Sequence, residues 1–371
     1  MRAAVVVAAA VGLSGCGGND AARPSTSGHL AQARPPGPEH LTPEQLAGQH
    51  VVVSFDGRRP PAEVVRLIRR GEAAGVVLFE RNLGTPGEVR ALTRALQAIP
   101  RPDGLRAPLL VMVDQEGGTV KRLPGAPGRS PREMAATGDP AVARAEGAAT
   151  ARTLRSAGVN VDLAPVVDVA RPGSALAREG RAFGATTAFA ARYGAAFVRG
   201  LRAGGVAGAA KHFPGFGAAT LNTDDGQTVI RASRAELARV DEPPFRAAIA
   251  AGAPMVMVAS AIYPALSGVP AVLSPSVVQR ELRDGLGFDG VTISDDLETP
   301  ALLPYGGVPA AAVRAAAAGV DLLLFAQSLR GARRAIGELA RRIRDGGLPR
   351  DGLEAGLRRV LALRVSLGED H

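Results

Sequence analysis

Tryptophan is absent from this chain, aromatic residues make up 4% of it, and cysteine occurs once, at Cys16. Of its 44 basic residues only two are lysines, Lys121 and Lys211. Each scarcity excludes something. One cysteine excludes an intrachain disulfide and any Cys-rich metal framework. The shortage of aromatics bears on the charge of +9 and the pI near 10.8, which would otherwise point to nucleic acid. The arginines are spread over helix-like stretches such as "VVRLIRRGE" and "GARRAIGELARRIRDG", not gathered into a stripe interleaved with stacking rings. Nucleic acid is therefore not an expected partner. With arginine used almost wherever a positive charge is needed, a lysine is a marked position. Histidine is marked in the same way: His29, His40 and His50 lie early and His371 is terminal, which leaves His212 as the histidine expected inside the folded region.

What is present begins with "MRAAVVVAAAVGLSGC": one arginine, an apolar run from Ala3 to Leu13, small residues, then Cys16. That run is well short of the about 20 residues a membrane-spanning helix needs. The layout is that of a secretory signal peptide. "LSGC" also resembles the bacterial lipoprotein box, which implies cleavage before Cys16, lipid attachment to its thiol, and an exported protein anchored to the outer face of the cell membrane or to an outer membrane. Residues 17–42, rich in Gly, Pro, Ser and Ala without apolar periodicity, read as a flexible tether. Residues 43–371 then form the folded unit, and 46% apolar content is ample for its core.

Within that unit, near-continuous apolar runs alternate with helical patterns: 50–55, 75–79, 108–114, 159–169, 205–212, 254–260, 290–296 and 320–326. Runs of this kind suit strands buried on both faces. Several of the intervening helical segments stop at a glycine just before the next run. Eight βα units predict a single (β/α)8 TIM barrel, with a doubly wound open sheet as the rival. The barrel is favoured by where charge falls: Asp114, Asp168, Lys211 with His212, and Asp295 with Asp296 lie at or just past the carboxyl end of a run, where a barrel collects its reactive groups.

Four ordered motifs, "MVDQEGGTVKRLPG" (112–125), "REGRAFG" (178–184), "KHFPGFG" (211–217) and "ISDDL" (293–297), resemble the bacterial β-N-acetylglucosaminidase branch of glycoside hydrolase family 3. The resemblance runs from about residue 43 to the end. It implies one barrel, no cofactor and no metal, and removal of N-acetylglucosamine from β-linked glycosides, often peptidoglycan fragments, through a covalent intermediate. It also implies Asp295 as nucleophile, with Asp114, Arg122, Arg181, Lys211 and His212 gripping the sugar. Asp296 and Asp168 read as structural carboxylates, Lys121 has no assigned role, and a monomer is expected.

One loop departs from the family pattern. After the KHFPG motif the family places an aspartate, a small hydroxyl residue and the histidine that protonates the leaving group; here those places hold Asn222, Thr223 and Asp224. A further frequent family histidine is replaced by Ser260. Three readings stay open. Asp224, or its neighbour Asp225, serves as the acid, since adjacent carboxylates resist double ionisation. Alternatively the chain is a β-glucosidase-like or phosphorolytic relative, or a barrel that binds cell-wall sugar without turnover. Outside this family, a lysine at the end of a strand allows Schiff-base chemistry on Lys211.

Overall fold

The computed structural model describes residues 38–368. Eight strands follow one another along the chain: β1 (Val51–Val53), β2 (Gly75–Val77), β3 (Leu110–Val113), β4 (Val161–Asp162), β5 (Ala207–Phe213), β6 (Met255–Val258), β7 (Val291–Ser294) and β8 (Leu323–Leu324). All are buried along their length, because helices cover the outside and side chains fill the inside. Each is parallel to its neighbours, in the order β8-β1-β2-β3-β4-β5-β6-β7. The ring closes between β7 and β8, where the Ser294 amide donates to the Leu322 carbonyl at 2.8 Å and the Leu322 amide to the Thr292 carbonyl at 2.9 Å. Closure excludes the open-sheet alternative.

Local chemistry sets the helices between strands. Thr85 caps the helix Pro86–Gln97, accepting from the Glu88 amide while the Glu88 carboxylate returns a bond to the Thr85 amide at 2.7 Å. The helices Pro140–Ser156 and Thr187–Ala203 touch through Gly147 and Gly200. A Cβ on Gly147 would sit 2.4 Å from the Phe197 carbonyl oxygen, so only glycine permits this contact.

The helix Arg350–Ser366 crosses the N-terminal end of the barrel. Arg359 pairs with Asp321 at 2.7 Å, ahead of β8, and the Leu353 carbonyl lies 3.0 Å from His50 Nε2. His50 thus corrects the expectation that only His212 lies in the interior: it is buried, bridging the Leu353 and Asp321 carbonyls, but at the end of the barrel away from the reactive loops. The expected tether overlaps the folded unit by a few residues, since Pro38 is buried and the Leu41 carbonyl accepts from Arg350. Cys16 and the signal-peptide pattern lie outside the described residues. Among the described residues no helix is long and apolar enough to cross a membrane.

Candidate active site

Past its last residue, β3 runs through Asp114 into a small hairpin, Gln115–Gly117 paired with Val120–Lys121. The side chain of Gln115 locks that hairpin by accepting from the Arg122 and Leu123 amides at 2.9 and 2.8 Å and donating to the Leu123 and Ala126 carbonyls at 2.9 and 2.8 Å. The fold-back turns Glu116 inward. There its carboxylate takes two parallel bonds from Arg181, at 2.8 and 2.7 Å, and lies 2.7 Å from Lys211 Nζ. Lys211 Nζ also donates to Asp114 at 2.7 Å, and Arg181 reaches Glu179 at 3.2 Å. Burial alone would push Glu116 toward the neutral form, but Lys211 and Arg181 outweigh it and hold its pKa at about 2. For Lys211, burial favours the neutral amine, yet Asp114 and Glu116 prevail and its pKa lies above the ordinary value. A lysine that keeps its proton does not add to a carbonyl, which removes the Schiff-base reading.

His212, the next residue on β5, is aimed by Asp168: one carboxylate oxygen accepts from the ring Nδ1 at 2.8 Å and from the His212 amide at 3.1 Å, while the other takes the Phe216 amide at 2.6 Å. Asp168 therefore orients the histidine and the glycine turn after it. Lys121 donates to the Pro127 carbonyl at 3.1 Å, on the outer side of the hairpin. Beneath this charge cluster lies Asp162 on β4. One of its oxygens accepts from the Gln115 amide at 3.0 Å; the other is buried without a partner. Burial, reinforced by the charges of Asp114 and Glu116, lifts its pKa to about 8.

At the end of β7, Asp295 stands half-buried with one oxygen accepting from the Asp296 amide at 2.9 Å. Asp296 is taken up by the backbone, accepting from the Glu298 and Ala326 amides at 3.0 Å each, and by Gln327 at 3.1 Å. Its burial lifts its pKa to about 7.

The loop after β5 carries Asn222, whose side-chain oxygen accepts from the Asp224 amide at 3.2 Å. Thr299, five residues after β7, donates to the Thr223 carbonyl and pins the loop from below. Asp224 is reached by solvent at the rim, yet the protein crowding it, and then the charge of Asp295, raise its pKa.

These groups converge on one cavity of about 500 Å3. Asp114, Arg122, Arg181, Lys211, His212, Asp224 and Asp295, all singled out from the sequence, line it together; Asp225 does not. Arg122 is tied to Glu80 and lies 5.9 Å over the Phe79 ring. Sequence reasoning missed Glu116, the anion both cations share, and also Glu179, Phe79 and Gln327 in the wall. The motif "DQEGG" contained Glu116, but nothing in it marks which of its acids turns inward.

A barrel mouth holding two carboxylates beside a cluster of forked hydrogen-bonding cations is the site of an enzyme acting on a polyhydroxylated substrate. The family described as glycosyl hydrolase family 3 N terminal domain matches residues 42–363, and the chain belongs to it. It is similar to an uncharacterized secreted glycosyl hydrolase of Arthroderma benhamiae, 34% identical over 329 residues that cover 86% of this chain and 93% of the relative. It is also 37% identical, over 74% of its length and 82% of the relative's, to a beta-hexosaminidase of Stenotrophomonas maltophilia. Among solved structures, a family 3 beta-N-acetylglucosaminidase from Paenibacillus superposes with a TM-score of 0.84 at 33% identity. That match covers 89% of this chain and 64% of the longer Paenibacillus chain.

Proposed function

We propose that the protein hydrolyses terminal β-linked N-acetylhexosamine, N-acetylglucosamine foremost, from glycosides of cell-wall origin with retention of configuration. The carrying observation is the pair Asp295 and Asp224 in one cavity, the second with a raised pKa. The Asp295 carboxylate attacks the anomeric carbon as the bond to the leaving oxygen breaks, and Asp224 gives that oxygen its proton. The glycosyl ester on Asp295 is then cleaved by water, whose proton returns to Asp224. Lys211, Arg181, Asp114 and His212 hold the sugar hydroxyls, with Glu116 keeping the two cations in place. The sugar identity is supported by the names of the Stenotrophomonas and Paenibacillus relatives.

The test compares an aryl β-N-acetylglucosaminide bearing an activated leaving group with a natural β-linked disaccharide. Cleavage of both by the parent and of neither by Asp295→Ala is expected. If the parent cleaves neither while Asp295→Ala binds sugar as tightly as the parent, the proposal fails. Export, supported by the sequence pattern and by the secreted relative, and lipid attachment at Cys16, supported by the sequence pattern, complete the reading. Cys16→Ala should release the protein from membrane fractions; retention there would reject the anchor.

A further inference from the structure

Past β5 the chain turns away from the barrel at Gly215, brings Asp224 to the cavity that also holds Asp295, and comes back at Thr228. Both ends of this loop are tied to one short stretch beyond β6, residues 259–263. At the departing end the Ala259 amide donates to the Phe213 carbonyl at 2.8 Å, and the Tyr263 hydroxyl donates to the Gly215 carbonyl at 3.0 Å. At the returning end the Ile262 amide donates to the Thr228 carbonyl at 2.9 Å, and the Ile262 carbonyl accepts from the Ile230 amide at 2.8 Å. A loop whose two ends sit on adjacent residues takes its position from them.

The departing turn fits closely. Gly215 adopts a φ of +134°, and a Cβ there would lie 2.5 Å from the Cβ of Asp241. Asp241 takes two bonds from Arg171, at 2.5 and 2.7 Å, and the Arg171 amide donates to the Gly217 carbonyl at 2.8 Å. Between them the Phe216 amide is held by Asp168, the carboxylate that also aims His212, so a change at Asp168 would disturb both. Tyr263 is a cleaner handle on the turn: it is completely buried and lines no part of the cavity. Burial, reinforced by the charges of Asp168 and Asp241, raises its pKa well above the usual phenol value, so the hydroxyl keeps its proton and stays a donor.

We infer that Tyr263 is a positioning residue for the proton donor: by holding the Gly215 carbonyl it sets the course of residues 216–227, and with it the place of the Asp224 carboxyl against the leaving oxygen. The inference rests on the proposed role of Asp224 as the acid. Proton transfer needs that carboxyl within about 2.6–3.2 Å of the oxygen, and a misplacement of about 1 Å costs up to about 10²-fold in rate. The Thr299 hydroxyl fixes the middle of the loop at Thr223, whereas Tyr263 fixes its root. Without the Tyr263 hydroxyl the Gly215 carbonyl loses its side-chain donor, and the turn shifts to find another.

Tyr263→Phe, which keeps the ring and removes the hydroxyl, is compared with the parent in the full chain. The control is Thr93→Val, which removes another buried hydroxyl, bonded to the Ala157 carbonyl at 2.7 Å ahead of β4 and far from the loop. Hydrogen exchange at the amides of 216–227 should quicken in Tyr263→Phe and not in Thr93→Val. For the natural disaccharide kcat/KM should fall by about 10–100-fold, while kcat/KM for the activated aryl glycoside, which needs little help from an acid, stays near that of the parent. The alkaline decline of the disaccharide profile should also move to lower pH, because a loosened loop relieves the burial that raises the pKa of Asp224. Unchanged exchange in Tyr263→Phe overturns the inference whatever the activity, and so does an equal loss on both substrates with the alkaline decline in place. If the parent cleaves neither substrate, the proposed hydrolysis fails, and with it the positioning role, even where exchange shows that Tyr263 holds the loop.

Discussion

Asp224 and Asp295 reach one cavity from different loops, and the charge on Asp295 is the second cause, after crowding by the protein, of the raised pKa of Asp224. This coupling suits a two-step reaction. In the proposed reaction an anionic Asp295 encourages Asp224 to keep the proton it would donate. Esterification of Asp295 in that reaction would remove its charge, lower the pKa of Asp224 and make the same carboxylate better able to take a proton from water.

Asp224→Asn should therefore slow cleavage of the natural disaccharide by about 10²–10⁴-fold, the usual contribution of a general acid. An aryl glycoside with a good leaving group should lose little in the first step and accumulate the glycosyl ester, visible as a burst of phenol. In the parent, kcat/KM for the disaccharide should decline as pH rises through the raised pKa of Asp224, because the proton is then lost. That alkaline decline should vanish in Asp224→Asn. Equal losses on both substrates would exclude Asp224 as the acid.

Glu116→Gln tests the shared anion. Arg181 and Lys211 would lose the carboxylate between them, and breaking a buried charge pair costs about 3–5 kcal/mol. The expected outcome is a lower midpoint in urea denaturation, together with a higher KM for both substrates as the sugar grip loosens. An unchanged midpoint would show that Asp114 and Glu179 suffice to hold the two cations.

The barrel was legible because its strands are covered on both faces, so each reads as an uninterrupted apolar run, and because residues such as Asp114 and Asp295 fall at the ends of those runs. The rest depended on how the chain folds back. Glu116 acquires its role only when Gln115 ties the hairpin down. His50 sits early in the sequence but is carried inward by the start of β1. The loop with Asn222, Thr223 and Asp224 could be located, but which of its two aspartates faces the cavity is a matter of geometry.

Thr299→Val removes the hydroxyl that holds the Thr223 carbonyl while preserving side-chain shape. Leaving a buried carbonyl unpaired costs about 1–3 kcal/mol, which here falls on the conformation of the loop that carries Asp224. Turnover of the disaccharide should fall more than turnover of the activated aryl substrate, with KM for both unchanged. A uniform fall on both substrates would mean that Thr299 acts on Asp295 or on general stability instead.

Asp162 offers a test in stability alone. In an unfolded chain an aspartate releases its proton near pH 3.9, whereas in the folded protein Asp162 retains it up to about 8. Between those values the folded state binds one more proton than the unfolded state, so this residue makes stability decline with rising pH, and its influence levels off above pH 8. Asparagine has nearly the same shape, keeps an oxygen for the Gln115 amide and does not titrate. Compared with the parent, Asp162→Asn should gain stability steadily from about pH 4 to pH 8 in urea melts, and a difference that stays constant over that range would show that Asp162 is ionised in the fold.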